Sequence, residues 1–91
     1  MVSAKVTIKN PTGLHLRPAG ECYNSAVQFD STVTVEKVSG NKRITANAKS
    51  VLSILGACIK SGDEITIICE GPDEEEALRE MVRIIEEGLG E

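Results

Sequence analysis

The apolar residues of this chain switch repeatedly between a period of two and a helical period, and that switching leaves few folds open. Val2, Ala4, Val6 and Ile8 alternate with polar neighbours, as in a half-buried strand, and Asn10-Pro11-Thr12-Gly13 is a turn that ends it. Over 16–28 the spacing predicts a helix, with Ala19, Cys22, Tyr23 and Ala26 on one side. Pro18 falls in its first turn, where a missing N–H is harmless. Val33 and Val35 alternate again, Ser39-Gly40-Asn41 predicts a hairpin turn, and Ile44 and Ala46 continue the return strand. A short helix is predicted over 48–59, with Val51, Leu52, Leu55 and Cys58 as its apolar stripe and Ser61-Gly62-Asp63 as its break. Ile65, Ile67 and Cys69 read as a fourth strand. Gly71-Pro72-Asp73 opens a last helix, with Asp73, Glu74, Glu75 and Glu76 over the positive end of its dipole. Its apolar face is Ala77, Leu78, Met81, Val82, Ile85 and Leu89.

The resulting order, β-α-β-β-α-β-α, predicts an α+β fold in which residues 1–91 form one domain. Strands with one apolar side need cover, so a four-stranded antiparallel sheet with three helices on one face is expected. At 91 residues a deep internal active site is not expected, and function belongs near the surface. A net charge of -4 argues against nucleic acid, whose phosphates need a basic face. One Phe, one Tyr and no Trp leave no platform on which bases could stack. No apolar run is long enough for membrane insertion, and the N-terminus lacks the basic and apolar stretches of a secretory signal. Cys22, Cys58 and Cys69 form no C-x-x-C pair. The expectation is three small buried hydrophobes in a reducing cytoplasm, with neither a disulfide framework nor a metal site.

The residues that carry chemistry are Gly13-Leu14-His15-Leu16-Arg17-Pro18-Ala19. His15 is the chain's one histidine and lies where a glycine-containing loop becomes a helix. The first amides of that helix point outward without intrahelical partners, which makes an anion site. A neutral imidazole has a free lone pair and can attack phosphorus. Arg17 brings a guanidinium suited to phosphoryl oxygens, and Thr12 offers a hydroxyl in the same loop. Pro18 fixes the backbone beyond the nucleophile, and an exposed site lets a second protein reach the phosphorus in line. No cofactor is called for.

This segment resembles the active-site signature of the histidine-containing phosphocarrier protein (HPr) family of the bacterial phosphoenolpyruvate-dependent phosphotransferase system. Lys49-Ser50-Val51-Leu52 resembles that family's regulatory-serine segment, followed by Gly62-x-x-Ile65-x-Ile67 and Glu70-Gly71-Pro72-Asp73-Glu74. The likeness runs through essentially the whole chain. It implies the open-faced β-sandwich fold, and a role in which enzyme I, charged by phosphoenolpyruvate, phosphorylates His15 on Nδ1 and the carrier passes the group to IIA domains for sugar uptake. It implies Arg17 as the phosphate-assisting residue and Ser50 as the target of a regulatory HPr kinase/phosphorylase, with a catabolite-control transcription factor as a further partner.

Ser50 also has a plainer reading as the N-cap of the second helix. A phosphate there would add charge beside a docking surface to which Val51, Leu52 and Leu55 could contribute. Two departures from the family stand out. Leu16 is bulkier than the usual small residue, which bears on partner fit, and the hairpin over 38–43 reads as longer and as lying away from the site. Two alternatives to the sugar carrier remain: a regulatory paralogue, nitrogen-branch or serine-switched, that mainly binds proteins, and a small-molecule-binding domain, which explains none of the motif residues. A shuttle that shows one face to several partners works most simply as a monomer.

Overall fold

The computed structural model describes residues 1–90. Its elements are β1 (Val2–Thr7), α1 (Leu16–Ala26), β2 (Thr32–Ser39), β3 (Lys42–Asn47), α2 (Val51–Gly56), β4 (Glu64–Glu70) and α3 (Glu74–Glu86), in the expected order. The four strands form one antiparallel sheet ordered β1-β4-β2-β3, with the three helices on one face. This is the open-faced β-sandwich. Among the described residues no helix is long and apolar enough to cross a membrane.

Strand alternation sets which side is covered. Val6, Val33, Val35, Ile65, Ile67 and Cys69 are buried, Lys5, Thr32 and Glu64 just before them are exposed, and Thr34, Thr66 and Ile68 between them are half-buried. The helices close over this face with Ala19, Cys22 and Ala26 of α1, Ile54 of α2, and Ala77, Met81 and Ile85 of α3. Tyr23 is only half-buried. Burial pushes the Cys22 thiol up to about 12, helped by the Glu21 carboxylate, and burial raises the Cys69 thiol as well. Cys58 departs from expectation: it is exposed, in the loop after α2.

The second helix is shorter than its predicted 48–59 span, at six residues. Ala57 and Cys58 already turn, donating to the Ile54 and Leu55 carbonyls, and Cys58 takes a left-handed φ of 53°. The chain therefore breaks before Ser61-Gly62-Asp63. The predicted stripe is also displaced. Ile54 faces the core, Val51 and Leu55 are half-buried, and Leu52 is 82% exposed. Leu89 is buried as expected but lies past α3, where its N–H reaches the Ile84 carbonyl at 3.0 Å and the Gly88 N–H reaches Ile85 at 3.1 Å. This pair of bonds is a Schellman closure, which folds Leu89 back onto the core.

The hairpin turns on Gly40 and Asn41 alone, since Ser39 pairs with Lys42. The registers Thr7↔Glu64 and Glu36↔Thr66 bring the end of β1, the start of β4 and the β2–β3 hairpin to one end of the sheet. The His15 loop follows β1 and so leaves from that same end. The hairpin base touches the loop after α2: Lys37 donates to the Cys58 carbonyl at 3.1 Å. Residues 38–43 contribute nothing to the His15 depression, and the contact comes from Lys37 just before them.

At the other end, the Asp73 carboxylate accepts the Asp30 and Ser31 amides at 3.0 and 2.9 Å and the Ser31 hydroxyl. These bonds, the Ser31 hydroxyl first, hold the Asp73 carboxyl below its ordinary value. Stability from such a group is complete above the unfolded carboxyl's pKa of about 3.9 and is lost as pH falls through the lower folded value.

Two outcomes follow from this packing. In denaturant unfolding, Ile54→Ala is expected to cost about 2–5 kcal/mol, as for a fully buried aliphatic, and Leu52→Ala less than about 0.5 kcal/mol. Similar losses would contradict the assignment of α2's faces. Asp73→Asn is expected to lower stability near neutrality and to flatten its fall in acid; an acid limb parallel to that of the native protein would remove Asp73 from this role.

Candidate functional site

His15 is placed by main chain more than by side chains. Gly13 adopts a φ of 65°, and a Cβ on it would lie 2.7 Å from the Ile59 carbonyl oxygen and 2.8 Å from Lys60 Cα. A side chain is therefore excluded twice, by conformation and by the close backbone. The turn before it is closed by Asn10, whose carbonyl accepts the Gly13 N–H at 3.2 Å and whose Nδ2 donates to the Gly13 carbonyl at 2.6 Å. The Leu14 N–H then donates to the Ile59 carbonyl at 3.0 Å, and the Leu14 side chain is buried. With Gly13 and Leu14 pinned to the 59–60 backbone, the next residue emerges at the surface.

His15 is the N-cap of α1, extended at φ -75° and ψ -177°, and its carbonyl accepts the Ala19 N–H at 2.8 Å. Its ring is exposed and does not cap the helix. The Leu16 and Arg17 amides precede the first intrahelical bond, and Pro18 has no N–H. Two backbone donors and the positive end of an eleven-residue helix are thus left beside the ring. Arg17 is exposed and makes no ion pair among the described residues. Pro18 is buried beneath the first turn, and Leu16 is 62% exposed.

A shallow open depression joins this corner to α2. Thr12, Leu14, His15, Leu55, Cys58, Ile59 and Lys60 line it. Val51 and Leu52 lie outside that lining, although Leu52 is one turn before Leu55 on the same helix and almost wholly exposed. Ser50 is the N-cap of α2, and its Oγ accepts the Ser53 N–H at 3.3 Å. The capping reading of Ser50 is thus realised.

The sequence pattern did not single out Cys58, Ile59, Lys60 or Asn10 as parts of this corner. Asn10 carried a turn signal. The 58–60 segment carried none, because a left-handed cysteine has no recognisable sequence mark. Arranged in this way, the corner can receive an anion at an accessible imidazole with amides, a helix dipole and an uncommitted guanidinium around it.

Comparison with known proteins agrees. A family model described as "PTS HPr component phosphorylation site" matches residues 2–87. The chain belongs to the HPr family. HPr-like protein Crh of Bacillus subtilis is 38% identical over 96% of this chain and 98% of its own length. Its solution structure, described as the catabolite repression HPr, superposes with a TM-score of 0.65 at 34% identity, covering 92% of this chain and 95% of that one. Phosphocarrier protein HPr of Mycoplasma pneumoniae is 37% identical, covering 94% of each chain. The crystal structure of HPr-C-His from Thermoanaerobacter tengcongensis matches with a TM-score of 0.87 and 38% identity over 100% of this chain and 98% of that one. HPr-family proteins carry phosphoryl groups and are not catalysts, and the chain is a phosphocarrier at that level.

The backbone contact at Gly13 yields a test with an internal control. Gly40 has nearly the same φ, 62°, but nothing lies within 4 Å of its Cβ position. Gly40→Ala is expected to cost only the left-handed conformation, about 1–2 kcal/mol. Gly13→Ala adds the clash with Ile59 and Lys60 and is expected to cost more in urea unfolding. Equal losses would mean that the 59–60 segment gives way freely.

Proposed function

We propose that this chain is a regulatory HPr-type phosphocarrier, with His15 as its phosphoryl acceptor and Ser50 as a second switch on one docking face. The observation that carries the reading is that His15 and Ser50 are the N-caps of two helices packed together, and that the His15 depression runs on to Leu55 of α2. In the acceptor step the Nδ1 lone pair attacks phosphorus of phosphoenolpyruvate-charged enzyme I, and the bond to the donor breaks on the far side. The Leu16 and Arg17 amides and the Arg17 guanidinium meet the charge that arrives. Thr12 completes the rim; Gly13 and Pro18 fix the backbone on either side.

Exposed Leu16 and Leu52, with half-buried Val51 and Leu55, supply apolar contact for partners. A phosphate on Ser50 puts charge into that contact and disfavours an apolar partner surface there. An HPr kinase/phosphorylase and a catabolite-control transcription factor are the partners this reading calls for. The regulatory emphasis is supported by the Crh relative, which matches the chain nearly end to end and is described as a catabolite repression HPr.

The second reading is the sugar-uptake relay from enzyme I to IIA domains. It is favoured by the exposed imidazole beside an uncommitted Arg17, since a module that only binds proteins has no use for that pair.

Both readings are tested by incubating the protein with enzyme I and labelled phosphoenolpyruvate. Label is expected that is lost in acid and survives alkali, the behaviour of phosphohistidine, and is absent from His15→Ala. Label persisting in His15→Ala would overturn the assignment. Arg17→Ala is expected to slow transfer with the fold intact. Ser50→Asp is expected to be a poorer substrate than Ser50→Ala, and equal rates would separate the two sites. Rapid onward transfer to IIA domains favours the relay; its absence favours regulation.

A further inference from the structure

We propose that Lys37, on the sheet, is a positioning residue for His15, acting through the loop on which the His15 segment rests. The inference deepens the reading of His15 as phosphoryl acceptor and rests on it. Lys37 follows Val33 and Val35 at alternate positions of β2, so it belongs to the row that faces the helices, where a charge needs a purpose. Its side chain is only 15% exposed.

The ammonium has two partners. It pairs with Asp63 Oδ2 at 2.8 Å and donates to the Cys58 carbonyl at 3.1 Å. The same Asp63 oxygen accepts the Lys60 N–H at 2.8 Å, and the Asp63 carbonyl accepts the Ile8 N–H at 2.9 Å. Lys37 and Asp63 thus hold both ends of the 58–60 segment from the sheet. These bonds, that from Lys37 first, also keep the Asp63 carboxyl below its usual value.

The held segment has two properties that call for a tie. Cys58 carries a side chain in left-handed backbone, which is disfavoured unless its surroundings impose it. Ile59 and Lys60 form the surface onto which Gly13 and Leu14 close. The chain of contact is continuous: Lys37 to the Cys58 carbonyl, then the Ile59 carbonyl to the Leu14 amide, then one peptide unit to His15. Releasing Lys37 frees the 58–60 turn to relax, and the imidazole loses its fixed place relative to the Leu16 and Arg17 amides. A small misplacement at a group-transfer site is costly in rate.

The test compares Lys37→Met with Lys37→Arg, which keeps the charge and the donors, in the full chain. Expected in Lys37→Met is about a tenfold faster hydrogen exchange of the Leu14 amide, with sheet amides unchanged. A fall of about tenfold in kcat for His15 phosphorylation by enzyme I, with KM little altered, is expected beside it. Lys37→Arg is expected to restore most of both. Asp63→Asn loosens the same tie from the other side and serves where Lys37→Met does not fold. Unchanged Leu14 exchange, or a change in KM alone, overturns the proposal; the latter marks Lys37 as a partner contact. If the native protein takes no label from enzyme I, the proposed function fails by itself. Phosphoramidate, a small donor that needs no partner, then reads ring reactivity in the same variants, and equal rates overturn the positioning role.

Discussion

The sheet has one apolar face, and covering it decides the rest of the molecule. Val33, Val35, Ile65 and Ile67 lie on the central strands β2 and β4 and are almost completely buried. Three helices, one of them a short one, must close over them, so none can spare many apolar residues for anything else. Function is thereby pushed to the loops where strands hand over to helices. The β1–α1 loop is one of these, and the strand registers bring it to the same end as the hairpin base and the start of β4. The chemistry-bearing residues thus stand on a corner of the scaffold and take nothing from its core.

The corner is fixed chiefly by backbone. Gly13 fits against Ile59 and Lys60 because it lacks a Cβ, and Leu14 binds the Ile59 carbonyl through its amide. Main-chain contacts leave the side chains of His15, Leu16 and Arg17 outside, exposed to whatever docks. A carrier needs this division, because a nucleophile held by its own side-chain bonds must break them each time it accepts or gives up a group. The cost is a surface with few restraints of its own, and ties such as Lys37–Asp63 come from further back in the fold.

The strands and both long helices were legible because their apolar residues repeat over several turns or several alternations. His15 as a helix N-cap was legible too, from Gly13 before it and Pro18 after it. The second helix was legible in place but not in length or face, since an apolar set of Val51, Leu52, Ile54 and Leu55 fits more than one face at so short a length. Packing chose Ile54 for the core and left Leu52 outside. Cys58 was misplaced for a related reason: periodicity cannot announce the residue at which a helix turns out of register. Lys37 carried only its place after Val33 and Val35 in the alternation of β2, which a lysine late in a hairpin strand usually escapes by reaching solvent, and the long-range contact with Asp63 and Cys58 shows that it does not.

The two N-caps, alike in position, differ in what they leave available. His15 makes no cap bond, so the amides beside it stay open and an arriving anion completes the helix end. Ser50 already spends its hydroxyl on the Ser53 amide, and α2 is only six residues long. Its dipole is correspondingly small, and a phosphate on Ser50 must first give up the existing cap geometry. The helix end therefore offers Ser50 much less help with a phosphate than sequence position alone implies. What a phosphate there does change is charge, at the end of the helix that carries Leu52 and, at the rim of the His15 depression, Leu55. By this reasoning a negative charge placed at His15 would meet the open end of α1, whereas one placed at Ser50 would act chiefly on the exposed surface around Leu52.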